Sequence, residues 1–359
     1  MEDYSCGYDM SDWLTNGYLN DDDDYSNLSL ESFDDYELDD GEVEEAPAPS
    51  ELRISTITAT GKITSVDSSG VEITKDDFLP ISLEELYKEI DIDEKKGPFI
   101  SIEYAENPIR GFDKRAKKKK KTKKTTVKKT KRKKFYNQST ILILMKNGNK
   151  VNLKIFRNGG IQMTGLKEVE EGVTCINEYI IPMFNKMSLN NKVIDKNWTT
   201  GEHKLELRKY NIVLINSDYT INFEIRRDVL HHILNTRYGI LASFEADIYP
   251  GVNAKYYWNE DNNMGEFPGV CQCTKKCTGK GTGKGDGECK KVTISTFRSG
   301  SVIITGARNK KQIYDSYEFI NHVFQTHYSD LKKKEIKLEI PKSPFASSPK
   351  KKISKLIML

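Results

Sequence analysis

Apolar and polar positions alternate along LRISTITATGKI (52–63), a period of two that predicts a strand. The spacing then changes. Leu83, Leu86, Tyr87 and Ile90 recur at three- to four-residue intervals in SLEELYKEI, predicting a helix with Ser82 as N-cap and Glu85 three residues on. PFISIEY (98–104) is extended again. STILILM, the turn KNGNK and VNLKIF predict a hairpin across an Asn-Gly turn. IQMTGLK adds a strand, and EGVTCINEYIIPMF has helical spacing. The series then runs a second time: the strand YNIVLINSDYTI, the helix RRDVLHHILNTRYG with Gly239 in the C-cap position, then ASFEADIYPGV leading into NAKYYW, the strands KVTISTF and SVIITGAR, and the helix NKKQIYDSYEFINHVFQTHY. Two copies are too few for an open solenoid. The expectation is a closed α+β object with pseudo-twofold symmetry: about four or five strands and two amphipathic helices per half, the helices covering one face of the sheet.

The duplication is plainest in two twelve-residue stretches, FRNGGIQMTGLK (156–167) and FRSGSVIITGAR (297–308). Alternation sends Ile161, Met163, Val302 and Ile304 one way, an apolar set suited to packing on helices. It sends Gln162, Thr164, Ile303 and Thr305 the other way. That mixture of apolar and hydrogen-bonding groups suits a face pressed against a partly apolar ligand, though ordinary strand threonines would read the same. Phe156 and Phe297 open the two motifs at strand ends, where a core ring and a surface ring fit equally well.

Charge divides the 359-residue chain. Residues 1–50 hold 17 Asp and Glu and no Lys or Arg, so a formal net charge of +3 leaves +20 on residues 51–359. The first fifty residues read as a disordered acidic tail closed by the linker APAPS, with Tyr4, Tyr8, Trp13, Tyr18, Tyr25, Phe33 and Tyr36 interleaved. It serves as a solubility tail or as a docking segment for a basic surface, including the chain's own free sheet face. Residues 113–134 carry fifteen Lys or Arg in twenty-two, which self-repulsion keeps from burial. The run suits phosphate neutralisation, nuclear import or a solvated loop. Residues 331–359 form a second basic stretch. Together these point to a polyanionic partner. No apolar run approaches the roughly 20 residues that span a bilayer, and no membrane partner is expected.

Four of the six Cys cluster as C-x-C-x3-C-x11-C: Cys271, Cys273, Cys277 and Cys289, within an insert over 259–290. Four thiolates can close a tetrahedral Zn²⁺ site, and GKGTGKGDG lets the chain wrap. Unligated thiols or redox pairing are the alternative. No catalytic constellation is recognisable. His231 and His232 are adjacent in a helix, and the Gly-Lys run lacks the phosphate-loop form, so an enzyme is not expected.

The paired FR(N/S)G…TG(L/A)(K/R) motifs resemble the paired signature of the TATA-box-binding protein family. YNIV, SFEADIYPGV and QIYDSYEFIN follow in the family's order, and the inserts resemble the TATA-binding-protein-like factors of large nucleocytoplasmic DNA viruses. The resemblance covers 52 to about 328 and implies two repeats, 51–190 and 205–330, joined in one curved antiparallel sheet, a saddle with helices on its convex side and its concave side in the minor groove of promoter DNA. It implies a general initiation factor that bends DNA and recruits a TFIIB-like factor and RNA polymerase, or a repeat protein that has lost bending and acts as a protein scaffold. The implied location is a host nucleus or a cytoplasmic virus factory, with packaging in the virion a further option. Phe156, Phe297 and Tyr249 would be wedges, with Ser139, Tyr136 or Phe135 as the fourth. Asn211 would read base acceptors near the centre, with Val213 on its face and Leu52 in place of the first half's partner asparagine. Gly160 and Ser301 replace the motif lysine, which leaves Arg157 and Arg298 for phosphate, and Gln162 stands on the groove floor. The Cys-rich insert would extend the edge that receives the TFIIB-like factor.

Overall fold

The computed structural model describes residues 44–73, 79–113, 135–189, 193–194, 203–261 and 267–333. The expected acidic tail up to residue 43, almost all of the Lys-rich loop and the basic stretch from 334 lie outside them. The described residues, from Glu44 onward, form one compact unit.

Eleven strands form one sheet: β1 (Arg53–Val66), β2 (Phe99–Tyr104), the two-residue β3 (Arg110–Gly111), β4 (Gln138–Leu144), β5 (Lys150–Phe156), β6 (Gly160–Leu166), β7 (Lys204–Thr220), β8 (Leu241–Glu245), β9 (Tyr249–Trp258), β10 (Lys290–Phe297) and β11 (Ser301–Ala307). Their order is β3-β2-β4-β5-β6-β1-β7-β11-β10-β9-β8, and every pairing is antiparallel. Apart from β3, the order reads identically from either side of the β1–β7 junction, so the pseudo-twofold axis runs between those strands. The sheet is open, with β3 and β8 at its edges. The α+β architecture expected from the duplicated pattern is present, and the two repeats share one sheet and one core rather than standing as separate bodies.

The helices lie where periodicity placed them. Helix α1 (Leu83–Glu89) starts at Ser82, whose side chain accepts from the Glu85 backbone N–H. Helix α2 (Val169–Cys175) passes through a π turn (Ile176–Ile180) into α3 (Ile181–Ser188). In the second half, α4 (Arg227–Thr236) ends on Arg237, so Gly239, at φ +62°, lies two residues beyond the cap instead of at it. Helix α5 (Lys310–Thr326) is capped by Asn309, and the short α6 (Tyr328–Leu331) follows.

The alternation predicted for the twin motifs holds. Ile161, Met163, Val302 and Ile304 are buried with Val151, Leu153, Ile155, Val252, Ala254, Val292 and Ile294 against the helices. Tyr256 packs its ring 5.2 Å from that of Phe319 on α5, and Tyr219 donates to Asn321 Oδ1 over 3.1 Å. The opposite set stays off this core, and among the described residues no helix covers the sheet's other face.

Both sequence boundaries move outward. The APAPS linker runs along the end of β7: Ser50 N–H donates to Thr220 O over 2.8 Å, and Asn222 Nδ2 to Ala48 O over 2.7 Å. At the other end Leu331 is buried, and Lys332 bridges to Ile225, so neither belongs to a tail.

Candidate nucleic-acid interface

The centre of the free face is set by the β1–β7 ladder. Arg53 pairs with Asp218, Ile54 with Ser217, Thr56 with Asn216, Ile57 with Ile215, Thr58 with Leu214, Ala59 with Ile212 and Thr60 with Asn211. Beyond a slip between Lys62 and Thr60, the register slips once at Ser55 and once at Val213, each of these two leaving one strand a residue longer than its partner, as in a β-bulge. The two slips exchange under the pseudo-twofold. Matching β6 against β1 with β11 against β7 makes Gly160 the counterpart of Ser301, Gln162 of Ile303 and Thr164 of Thr305. The same operation carries Asn211 onto Arg53 and Val213 onto Ser55. The expectation that Leu52 replaces the partner asparagine is therefore corrected by one residue. Asn211 is exposed, and Val213 and Ile303 are each 37 % exposed, large for β-branched side chains in interior strands. Gln162, Thr164 and Thr305 are half-buried on the same side, Thr305 Oγ1 donating to Asn216 Oδ1.

Rings flank this centre. Phe297 pairs with Gly251, and the Tyr249 and Phe297 rings sit 5.7 Å apart, tilted by 57°. A Cβ on Gly251 would come 2.9 Å from Tyr249 Cε1 and 3.1 Å from Phe297 Cε1, so both rings lie over that glycine. Gly251 alternates with the buried Val252 and so faces away from the helices. In the first half Phe156 pairs with Gln138, which makes Gln138 the counterpart of Gly251 and Tyr136 the counterpart of Tyr249. Register thus selects Tyr136 among the three fourth-ring candidates. Ser139 is fully buried and bonded to Glu103 O, and Phe135 is one residue out of phase. Tyr136 is 57 % exposed, and the carboxylate of Glu106 holds its hydroxyl above the usual tyrosine pKa. Phe156, Phe297, Tyr249 and Tyr136 all stand outside the apolar core.

Arg157 and Arg298, next to the two Phe, alternate away from them. Arg157 Nη2 lies 3.4 Å from Tyr104 Oη, and Arg298 Nε 3.6 Å from a Glu224 carboxylate oxygen. These engagements compete with the phosphate role expected of them. The sequence reading missed other cations. Lys255 and Lys291 occupy the free face of β9 and β10, where burial and then the Lys291 charge lower the Lys255 pKa. Lys150 is the first-half counterpart of Lys291. Arg53 was also missed. Its Nη2 meets Asp218 Oδ1 at 2.7 Å and its Nε meets the same oxygen at 3.1 Å. No sequence pattern marks these positions; they follow only from the ladder.

The Cys insert joins β9 to β10 at the Trp258–Lys290 end, opposite the end that carries Tyr249 and Phe297. The first half has only the Asn147–Gly148 turn there. The insert, expected to extend the edge that receives a TFIIB-like factor, thus lies at the end of the hairpin away from these two rings. The ring-side turn is Ala246–Ile248, with Ile248 80 % exposed, and its first-half counterpart is the connection that contains the Lys-rich run. Within the insert the four Sγ atoms of Cys271, Cys273, Cys277 and Cys289 lie within 4.8 Å of one another, with 3.3 Å between Cys273 and Cys289 and 3.8 Å between Cys289 and Cys271. These exceed the covalent S–S length of about 2.05 Å, and all four are free thiols. A tetrahedral Zn–S₄ site with bonds of about 2.3 Å has edges of about 3.8 Å, so the cluster could hold a metal. Burial raises the Cys271 and Cys289 thiols. It also opposes ionisation of Cys277, but backbone N–H bonds from Gly279 and Cys289 more than offset it there. Asp286 braces the loop, accepting from the Thr274 N–H at 2.8 Å.

No protein-family model matches the chain. Over 214 residues the chain is 31 % identical to a protein of Acanthamoeba polyphaga mimivirus described as "TATA-box-binding protein-like". The match takes in 55 % of this chain and 50 % of that protein, so the chain spans about half the length of this curated relative. Among solved structures, Methanococcus jannaschii TBP is similar at 16 % identity with a TM-score of 0.35, covering 78 % of this chain and 99 % of that one. The resemblance read in the paired motifs is thus shared with a TATA-box-binding-protein-like viral protein.

Proposed function

We propose that the chain is a non-catalytic transcription initiation factor that lays its free sheet face along the minor groove of A/T-rich promoter DNA and bends it. One observation carries the reading: the Tyr249 and Phe297 rings pair on a face that no described helix covers, and strand register puts Tyr136 and Phe156 at the symmetry-related positions. Rings inserted between base steps unstack them and kink a duplex, and two such sites about one axis fit a bend on each side of a centre. Between them Asn211, Gln162 and Thr164 supply donors for the acceptors that A·T and T·A share in that groove. Lys150, Lys255, Lys291 and the Lys-rich run beside Tyr136 supply charge for phosphates, which adds salt dependence without sequence preference. The similarity to the mimivirus protein supports the same reading and motivates a TFIIB-like factor and RNA polymerase as protein partners. We assign Zn²⁺ to the four thiols as a structural ion that closes the β9–β10 connection.

The scaffold reading draws on one observation, the carboxylate of Asp218 on the same face. Energy transfer between dyes at the two ends of an A/T-rich duplex separates the two. The intact protein is expected to shorten the end-to-end distance. Phe297→Ala and Phe156→Ala are each expected to weaken binding about tenfold or more, on the scale of one lost base–ring stack, with unchanged unfolding midpoints. Unbent DNA at saturating protein would leave the scaffold reading standing.

A further inference from the structure

We propose that Asp218 and Arg53 together form a recognition edge for the exocyclic amine of guanine, so that the free face selects an A/T-rich duplex with one G·C pair to a single side of its centre. This rests on the minor-groove reading above and deepens it.

The pseudo-twofold relates two ladder pairs, Thr60 with Asn211 and Arg53 with Asp218. The first pair is neutral, and its amide can read acceptors. The second is an ion pair at the corresponding place. Asp218 lies between the buried Ser217 and Tyr219, which fixes it on the helix-free face, and it is the one acid in the two ladder segments Arg53–Lys62 and Asn211–Thr220. A carboxylate there meets only acceptors on an A·T pair, A N3 and T O2, and is repelled by phosphates. A G·C pair differs in that groove by one group, the guanine N2 amine, a donor set between acceptors. The ion pair has the complementary form. Both Arg53 bonds fall on Oδ1 of Asp218. Among the described residues, Oδ2 and Arg53 Nη1 remain for a ligand, one acceptor beside one donor. Arg53 also neutralises the charge that would otherwise exclude DNA.

The consequence is directional. A platform with twofold symmetry docks on a duplex in two orientations. A neutral pair on one side and an amine-reading ion pair on the other distinguish them.

The test uses the full-length protein and A/T-rich duplexes in which one G·C pair is moved stepwise along the site, with affinity read by fluorescence anisotropy at fixed salt. One position to one side of the centre is expected to bind about tenfold tighter as G·C than as A·T, the scale of a well-formed base contact. Inosine, which lacks the amine, is expected to cancel the gain. Diaminopurine paired with T, which restores an amine, is expected to recover it. Asp218→Thr, copying the Thr60 counterpart, is expected to abolish the preference while A/T-rich DNA is still bound. The proposal is overturned if the protein bends A/T-rich DNA but G·C weakens binding at every position, or if the preference survives inosine or Asp218→Thr. Failure to bend any duplex would instead remove the minor-groove reading, and this proposal with it.

Discussion

Ile57 and Ile215 face each other in the β1–β7 ladder, and each is the other's counterpart in the duplicated halves. The axis that exchanges the repeats therefore passes through this pair. Both side chains are fully buried in the shared core. Truncating either to Ala removes apolar contact on both sides of the axis and is expected to destabilise the protein by about 2–5 kcal/mol. Because the two residues are in contact, the double variant should lose less than the sum of the singles, by roughly 0.5–3 kcal/mol. Urea unfolding of the four proteins checks this, and strict additivity would argue that the repeats do not share one core here.

The twin motifs keep two glycines each for backbone reasons. Gly165 and Gly306 have φ of +91° and +97°, and a Cβ would come 2.8 Å from Lys150 O and 3.0 Å from Lys291 O. Gly159 and Gly300 meet carbonyls still more closely, at 2.4 and 2.3 Å. Gly165→Ala and Gly306→Ala are each expected to cost about 1–3 kcal/mol, from a left-handed backbone and a carbonyl that cannot move. Gly148 is the control. Its φ is +81°, but nothing lies within 4 Å of a built Cβ, so Gly148→Ala should cost clearly less in the same unfolding assay.

Those glycines were legible as part of a repeated motif, as were the strand–helix order and the apolar faces of Ile161, Met163, Val302 and Ile304. A period of two carries that information wherever the ladder is unbroken. It fails at Ser55 and Val213, where a slip changes the phase along each strand. Leu52 was matched with Asn211 in place of Arg53 because the offset between β1 and β7, constant from Lys62 and Thr220 back to Arg53 and Asn211, is fixed only by the β6 and β11 pairings. Counting back along β4 gave Ser139 rather than Tyr136 for a related reason: connections of unequal length hide the equivalence of the halves, and only the Phe156–Gln138 and Phe297–Gly251 pairs restore it. Which end of the hairpin the Cys insert occupies was not legible, because both ends adjoin the same two strands in sequence and only register separates them. The ionic character of the Arg53–Asp218 pair had no signal at all, since its members are 165 residues apart.

Glu171 gives the first half an acid-sensitive joint. Its buried carboxylate accepts from Asn147 Nδ2 at 2.8 Å, Asn149 Nδ2 at 2.9 Å and the Lys167 N–H at 2.7 Å, tying the β4–β5 turn to the start of α2. Burial alone would raise its pKa, but these bonds outweigh it and leave the group below its usual value of 4.5. A carboxylate with a depressed folded-state pKa contributes stability that is fully present above the unfolded value and lost as pH falls through the folded one. Glu171→Gln is therefore expected to lower stability by about 1–3 kcal/mol at neutral pH. The deficit should shrink as pH falls below about 4.5. Unfolding midpoints of both proteins between neutral pH and pH 3 would show the curves converge. A deficit independent of pH would mean that the amide loses geometry and not charge.

The thiol cluster makes a prediction about what a metal holds. Gly279 lies against Tyr257 and Lys291, and Gly283 against Trp258, so the insert straddles the far end of the β9–β10 hairpin. The Trp258–Lys290 pair closes the ladder before the insert begins, so removing the ion should loosen the insert and spare the sheet. We expect one Zn²⁺ per chain by native mass spectrometry. Chelation or Cys271→Ser is expected to open 268–288 to proteolysis while circular dichroism keeps its β-sheet signal. Metal-ligating thiols must be deprotonated, and burial holds Cys271 and Cys289 protonated in the free protein, so the ion displaces protons and its affinity should rise with pH. A chain that takes up no zinc at neutral pH under reducing conditions, or one in which two of the four thiols pair as a disulfide, would refute the assignment, whatever the insert's resistance to protease.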